Sequence, residues 1–305
     1  MSHFDEMRAF VGEIATPRVV EAELSARTGV PSLDRALGGA LPSGATEIFG
    51  EASVGKTSLL YEIIATAQTD GMVVALCASE FLDLPRMRDH CINLNELPII
   101  TGNYGEDVYE TALRFIEDQA VLAQPCVVAV DSGSGMRPRK DEYNNAAVLL
   151  ETFLEVAVPE LPPRSCIVVV NQVRKRKSAE KGTFYTQGTD STQRWKVGVF
   201  SARLELSRTD VQDEDFTLVV NTVANQDGPP STILTFPFNK KTGIDTMLDL
   251  VRLASELGVL VRSGSWYSVD GEDVQLGQGE YEAARKLGCL SAVARRVLER
   301  VIARS

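Results

Sequence analysis

Apolar and polar positions change period several times along the chain. Phe4, Met7, Phe10, Val11 and Ile14 recur at helical spacing, and Thr16-Pro17 closes that short amphipathic helix. From Ala45 onward, strand-like apolar runs alternate with helical segments: Ala45 to Phe49 then Thr57 to Ala67; Met72 to Ala78 then Pro85 to Cys91; Asp107 to Phe115 then Cys126 to Val130; Ala146 to Val156 then Ile167 to Val170. Several of these strands are continuous apolar runs, and with the βαβα order they predict an α/β core of about 45 to 240, its parallel sheet covered on both faces by helices. After Val170 a polar, basic stretch runs to about Lys196, and strands at Ala202 to Leu206, Phe216 to Val223 and Ser231 to Phe236 are expected to extend the same sheet. Beyond Gly243, a helix at Met247 to Leu257, a strand pair around Val259 to Val261 and Trp266 to Ser268, and helices at Glu280 to Leu287 and Ser291 to Ala303 predict a small α+β appendage. Gly288 is expected to stop the first of these two helices and Ser291 to N-cap the second.

Composition narrows the chemistry. With 44% hydrophobic and 24% charged residues in 305, the chain reads as an ordinary globular protein of one large domain with appendages. No apolar run approaches the roughly 18 residues of a membrane span, and Met1 to Arg18 lacks the regions of a signal peptide, so a cytoplasmic location is expected. Cys77, Cys91, Cys126, Cys166 and Cys289 show no CxxC spacing and are expected as reduced, buried thiols. His3 and His90 are the only histidines, so catalysis falls to carboxylates, lysine and hydroxyls. A net charge of -11 admits a nucleic-acid partner only through a local basic patch.

One motif carries strong chemistry. Gly50-Glu51-Ala52-Ser53-Val54-Gly55-Lys56-Thr57 matches the phosphate-binding P-loop, G-x-x-x-x-G-K-[ST]. Glycines let backbone N–H groups wrap phosphate oxygens, a helix start adds its positive dipole end, Lys56 neutralises β/γ charge, and the Thr57 hydroxyl ligates Mg²⁺. The same glycines would otherwise only shape a surface turn. An apolar strand entering the loop and Leu59, Leu60, Ile63 and Ile64 leaving it favour the phosphate site. Cys126 to Val130 then delivers Asp131 at a strand end, where a second magnesium contact belongs. Glu80, just after the strand Val73 to Ala78, emerges at the same edge; taken alone it is either a water-activating carboxylate or a helix N-terminal residue favoured by the dipole.

Five stretches together resemble the RecA family of homologous-recombination ATPases: Thr28 to Gly38, Gly50 to Ser58, Ser79-Glu80, Asn171-Gln172-Val173-Arg174, and Gly264-Ser265-Trp266-Tyr267-Ser268 followed by Gly277-Gln278-Gly279. The first four recur across RecA-like ATPases, and the last resembles the C-terminal domain of bacterial members. The resemblance implies a RecA-like P-loop ATPase core with a mainly parallel sheet, in which Gly50 to Ser58 bind ATP, Lys56 and Thr57 hold the phosphates and magnesium, Asp131 is the Walker B acid and Glu80 activates water. Gln172 matches the glutamine that senses γ-phosphate and leads into the second DNA-binding loop; without the resemblance it is an ordinary start of a loop. It further implies residues 1–24 as an arm for subunit contact, 25–243 as the ATPase core and 244–305 as a small C-terminal domain.

The basic stretch supports a nucleic-acid partner independently. Between positions 172 and 203 stand Arg174, Lys175, Arg176, Lys177, Lys181, Arg194, Lys196 and Arg203 against only Glu180 and Asp190. Phe184 and Tyr185 add rings that can stack on bases. A solvated surface loop is the other reading of the same composition. Arg137, Arg139 and Lys140 lie where the family has its first DNA loop. At the strand where bacterial members carry a Lys-x-Lys pair that reaches a neighbour's γ-phosphate, this chain reads Ala224-Asn225-Gln226; Lys240 or Lys241 is the candidate substitute. The N-terminal arm is short and no acidic tail follows Arg304-Ser305, so a divergent or viral member is expected. The expected activity is a DNA-dependent ATPase that forms head-to-tail filaments on single-stranded DNA and exchanges it with homologous duplex. The rival is a RecA-like regulatory or assembly ATPase without strand exchange.

Overall fold

The computed structural model describes residues 25–139, 146–175, 184–186, 200–212, 215–225 and 231–304, with the backbone alone for 173–175 and 184–186. The amphipathic segment ending at Thr16-Pro17 lies outside the described residues.

The core opens with helix α1 (Pro31–Ala36), started by a proline in its first turn, then strand β1 (Gly44–Gly50). Next come α2 (Lys56–Thr69), β2 (Val73–Ala78), α3 (Leu84–Asp89), β3 (Ile99–Ile100), α4 (Gly105–Val121), β4 (Cys126–Asp131), α5 (Ala146–Glu160), β5 (Cys166–Lys175) and the short β6 (Phe184–Thr186). The strands β7 (Ala202–Gln212), β8 (Asp215–Asn225), β9 (Ile233–Asn239) and β10 (Gly243–Ile244) complete a sheet of order β10-β9-β8-β7-β1-β5-β4-β2-β3. From β7 to β3 every neighbouring pair is parallel, whereas β7 through β10 pair antiparallel. The expected extension of the sheet by the later strands is therefore observed.

Burial explains the two textures. β1 and β4 are buried at every residue because helices cover both faces: α1 and α2 lie over one apolar layer, α4 and α5 over the other. On β8, buried Phe216, Leu218 and Val220 alternate with more accessible neighbours and join the α2 layer.

The C-terminal unit combines α6 (Thr246–Glu256), a three-stranded antiparallel sheet of β11 (Leu260–Ser263), β12 (Trp266–Val269) and β13 (Gln275–Gln278), then α7 (Gly279–Cys289) and α8 (Ser291–Arg304) around its own apolar cluster. Three strands replace the expected pair, since β13 pairs with β12 only across the Asp270–Asp273 turn region. Gly288 does not stop α7: it sits inside the last turn, and Leu290 alone separates the helices. Ser291 is the first residue of α8, and the Leu290 carbonyl in front of it accepts from Ala294 N. Buried Asp249 of α6 accepts from the Ser32 backbone N (2.8 Å) and hydroxyl (2.6 Å), fastening α1 to this unit. Cys77, Cys126 and Cys166 are buried as expected, but Cys91 and Cys289 are exposed; all five are free thiols. No helix among the described residues is long and apolar enough to cross a membrane.

Candidate nucleotide and nucleic-acid site

The parallel strands β1, β2, β4 and β5 all end at one edge, so the residues that follow them converge. Gly50 and Gly55 are required by that convergence. A Cβ on Gly50 (φ 157°) would stand 2.1 Å from the Leu206 carbonyl oxygen of β7, and one on Gly55 (φ 98°) 2.8 Å from the Phe238 ring of β9. Gly55 occupies the N-cap of α2, aiming that helix's first N–H groups at the loop. Lys56 is buried, and its Nζ donates to the carbonyls of Gly50 (3.0 Å) and Glu51 (2.6 Å). Burial pulls the Lys56 ammonium below its ordinary range, opposed by the charges of Asp131 and Glu80.

The Thr57 hydroxyl donates to Asp131 Oδ2 at 2.9 Å. Burial raises the Asp131 carboxyl above its ordinary value, with the Thr57 hydrogen bond pulling the other way. No group of three or more His, Cys, Asp and Glu gathers as a metal cage among the described residues. A hydroxyl paired with one carboxylate is instead the hard-oxygen donor set that suits magnesium when phosphate and water supply its other ligands.

Glu80 is exposed and accepts two hydrogen bonds at Oε1, from the Ser132 hydroxyl (3.0 Å) and from Gln172 Nε2 (3.2 Å). The carboxylate after β2 and the amide of Gln172, where β5 passes the end of β1, are thereby in direct contact. Ser79 and Ser132 were not foreseen as site residues. Ser79 Oγ donates to the Ser132 carbonyl and accepts from the Ser132 N–H, each at 3.0 Å, locking the loops after β2 and β4 together. Ser58 Oγ accepts from Arg86 of α3 at 2.5 Å.

The basic residues divide. Arg174 and Lys175 lie on the outer end of β5, which pairs antiparallel with β6 so that Arg174 faces Tyr185 and Lys175 faces Phe184 in register. The stretch thus leaves the sheet as a two-stranded ribbon. Arg176, Lys177, Lys181, Arg194 and Lys140 lie outside the described residues. Arg137 is exposed. Arg139 is engaged: its guanidinium bridges Asp107 at 2.5 Å and sits 4.8 Å from the Tyr104 ring centre, while its backbone N donates to Glu106. Arg203, counted with the basic stretch, is held by Glu47 at 2.7 Å. Where the lysine pair is missing, the Asn225 amide turns back to donate to the Leu37 carbonyl at 3.3 Å. Lys240 and Lys241 are exposed at the turn from β9 to β10.

Comparison with known sequences bears on both units. Residues 13–223 match the family described as RecA N-terminal domain, and residues 248–304 match the RecA C-terminal domain. Protein RecA of Cereibacter sphaeroides is 30% identical over 304 aligned residues, covering 94% of this chain and 86% of that protein. The proteins of the same name from Azospirillum lipoferum (31% over 287 residues, 88% and 77% covered) and Aquifex aeolicus (30% over 278 residues, 85% and 78% covered) are similar to a like degree.

Proposed function

The chain belongs to the RecA family, and from that premise we propose that it is a DNA-dependent ATPase that polymerises head-to-tail on single-stranded DNA and exchanges it with homologous duplex. The observation that carries this reading is the Gln172–Glu80 hydrogen bond of 3.2 Å. It ties a residue beside the triphosphate cradle to the residue that precedes a cationic ribbon. A neutral amide there can exchange its carboxylate partner for a phosphate oxygen and so change the position of the ribbon attached to it.

In this reading Gly50 to Ser58 wrap the phosphates, Lys56 neutralises β/γ charge, and Glu80 orients and deprotonates the attacking water. Thr57 and Asp131 hold a magnesium ion, whose charge screens the phosphates. Arg174, Lys175 and the further cations to Arg194 contact the DNA backbone, and Phe184 and Tyr185 stack on bases. Residues 25–243 form the ATPase core and 244–305 a small appended domain. A heterologous, non-closing contact between copies yields an open filament able to cover a strand of any length. The regulatory alternative, a nucleotide switch without strand exchange, is favoured by Ala224-Asn225 in place of the lysine pair.

ATP turnover with and without single-stranded DNA separates the two: stimulation is expected of the recombinase, DNA-indifferent turnover of the switch. Glu80→Gln should retain ATP and lose about 10²- to 10⁴-fold in hydrolysis. Equal retention of DNA with an ATP analogue, with ADP and without nucleotide would overturn the proposal.

A further inference from the structure

Glu47 stands in the middle of β1, and the chemistry above makes no use of it. Its side chain is only 1% exposed, and a carboxylate so placed is costly unless it is paired and hydrogen-bonded. Both of its oxygens are engaged. Oε2 accepts from Arg203 Nε at 2.7 Å, and Oε1 accepts from Asn171 Nδ2 at 2.8 Å.

The origin of the two partners is informative. Asn171 comes from β5 and Arg203 from β7, the strands on either side of β1, with Arg203 directly beside Glu47 in register. Along the chain these same two residues bracket the basic stretch. Because β1 separates β5 from β7 in the sheet, both ends of that stretch meet on one carboxylate of the strand that delivers the P-loop. Each partner also touches the nucleotide edge. The Arg203 guanidinium lies 4.8 Å from the ring centre of Phe49, the residue before Gly50. Asn171 precedes Gln172, and its Oδ1 lies 3.0 Å from where a Cβ on Gly133 would stand, against the loop after β4.

We propose that Glu47 is a positioning residue that clasps both ends of the basic segment to the P-loop strand, so that the nucleotide state is transmitted to the DNA grip through Asn171 and Arg203. The inference rests on the reading that ATP governs DNA binding. An ion pair serving only the fold would, on removal, weaken nucleotide and DNA binding together. A clasp, on removal, leaves nucleotide binding intact and separates the two.

Two variants of the full chain test it. Glu47→Gln keeps the shape and removes the charge. The double variant Glu47→Gln with Arg203→Met replaces the whole pair by uncharged groups of similar volume, a change that buried pairs tolerate, and it serves where the single change does not fold. Thermal unfolding checks the fold, a fluorescent ATP analogue without DNA reads nucleotide affinity, and a labelled single-stranded oligonucleotide is titrated with ATP analogue and with ADP. Nucleotide affinity is expected within about twofold of wild type, while the ratio of the two DNA affinities, about tenfold in wild type as typical of coupled sites, falls below about twofold. A folded variant that keeps the wild-type ratio overturns the clasp, as does a parallel loss of both affinities. A wild type without nucleotide dependence overturns the functional reading itself and the clasp with it.

Discussion

The sheet has two halves that solve different problems. From β7 to β3 the strands run parallel, and β1, β2, β4 and β5, the ones that bear the site, have nearly every described side chain buried. From β7 to β10 they run antiparallel, and β8 and β9 alternate between buried and accessible positions. Parallel strands point their carboxyl ends one way, so Lys56 at the start of α2, Asp131 at the end of β4, Glu80 after β2 and Gln172 in the outer part of β5 arrive at a common edge. The antiparallel half reaches that edge mainly as packing, with Leu206 and Phe238 against Gly50 and Gly55, and through Arg208 of β7, which donates to the Ser53 carbonyl of the P-loop at 3.4 Å. Chemistry is concentrated where the chain is most constrained, and the family's missing lysines fall on the half where constraint is weaker.

The sharpest way to break this contrast is to delete the same side chain on each half. Ile167 of β5 is fully buried and Ile233 of β9 is 67% exposed. Ile167→Ala should cost about 2–5 kcal/mol through lost transfer energy and the cavity left behind, whereas Ile233→Ala should stay within about 0.5 kcal/mol. Urea unfolding checks both, and equal losses would mean the open face is covered in solution. Next in size, Lys56→Ala should weaken ATP binding about a hundredfold, the worth of charge-assisted hydrogen bonds to phosphate. Lys241→Ala, on the antiparallel half, should leave DNA-free ATP affinity within about twofold; a drop in DNA-stimulated turnover alone would identify it as reaching a neighbour's nucleotide.

The parallel half was the legible one. Short, valine-rich apolar runs such as Cys126 to Val130 read as strands buried on both faces, and the P-loop motif fixes the turn and helix start after β1. Family resemblance gave Glu80 and Gln172 separate roles, and the structure adds their direct contact. What stayed hidden depends on partners distant in sequence. The two-residue strands β3 and β10 exist only because β2 and β9 offer them edges. The Ser79–Ser132 lock spans 53 positions and Asn171–Glu47 spans 124, so no local pattern announces either. Gly288 misled because glycine ends helices by adopting positive φ, and this one stays helical. Arg139 reads as a free cation in the sequence, whereas Asp107, 32 residues earlier, holds it in the fold.

A smaller, graded effect concerns α1, on which the antiparallel half leans through Asn225 and Leu37. Asp34 there is half-buried and its carboxyl is raised to about 7, desolvation outweighing the hydrogen bonds from Thr28 and the charge of Arg27, with Asp249 adding repulsion. Folded protein then binds this proton below about pH 7 and unfolded chain only below the ordinary value of 3.8. Stability should therefore rise as pH falls through that window, by no more than about 1.4 kcal/mol per pH unit, and level off on either side. Asp34→Asn should flatten this slope in denaturant titrations at stepped pH. An unchanged slope would assign the dependence to another group.

The smallest effect tests whether the parallel half keeps a second DNA contact in reserve. Arg139 and Asp107 are both nearly half exposed, so their bridge is worth at most about 1 kcal/mol. If Arg139 belongs to the DNA surface, it must first leave Asp107, and that bridge subtracts from DNA affinity. Asp107→Asn removes the competitor and one repelling charge while Tyr104 still supports the guanidinium. Affinity for single-stranded DNA should rise by up to about fivefold at low salt and return to the wild-type value at high salt, because exposed charges are screened. An affinity indifferent to the substitution at low salt would remove Arg139 from the interface and leave DNA gripping to the ribbon beyond Gln172.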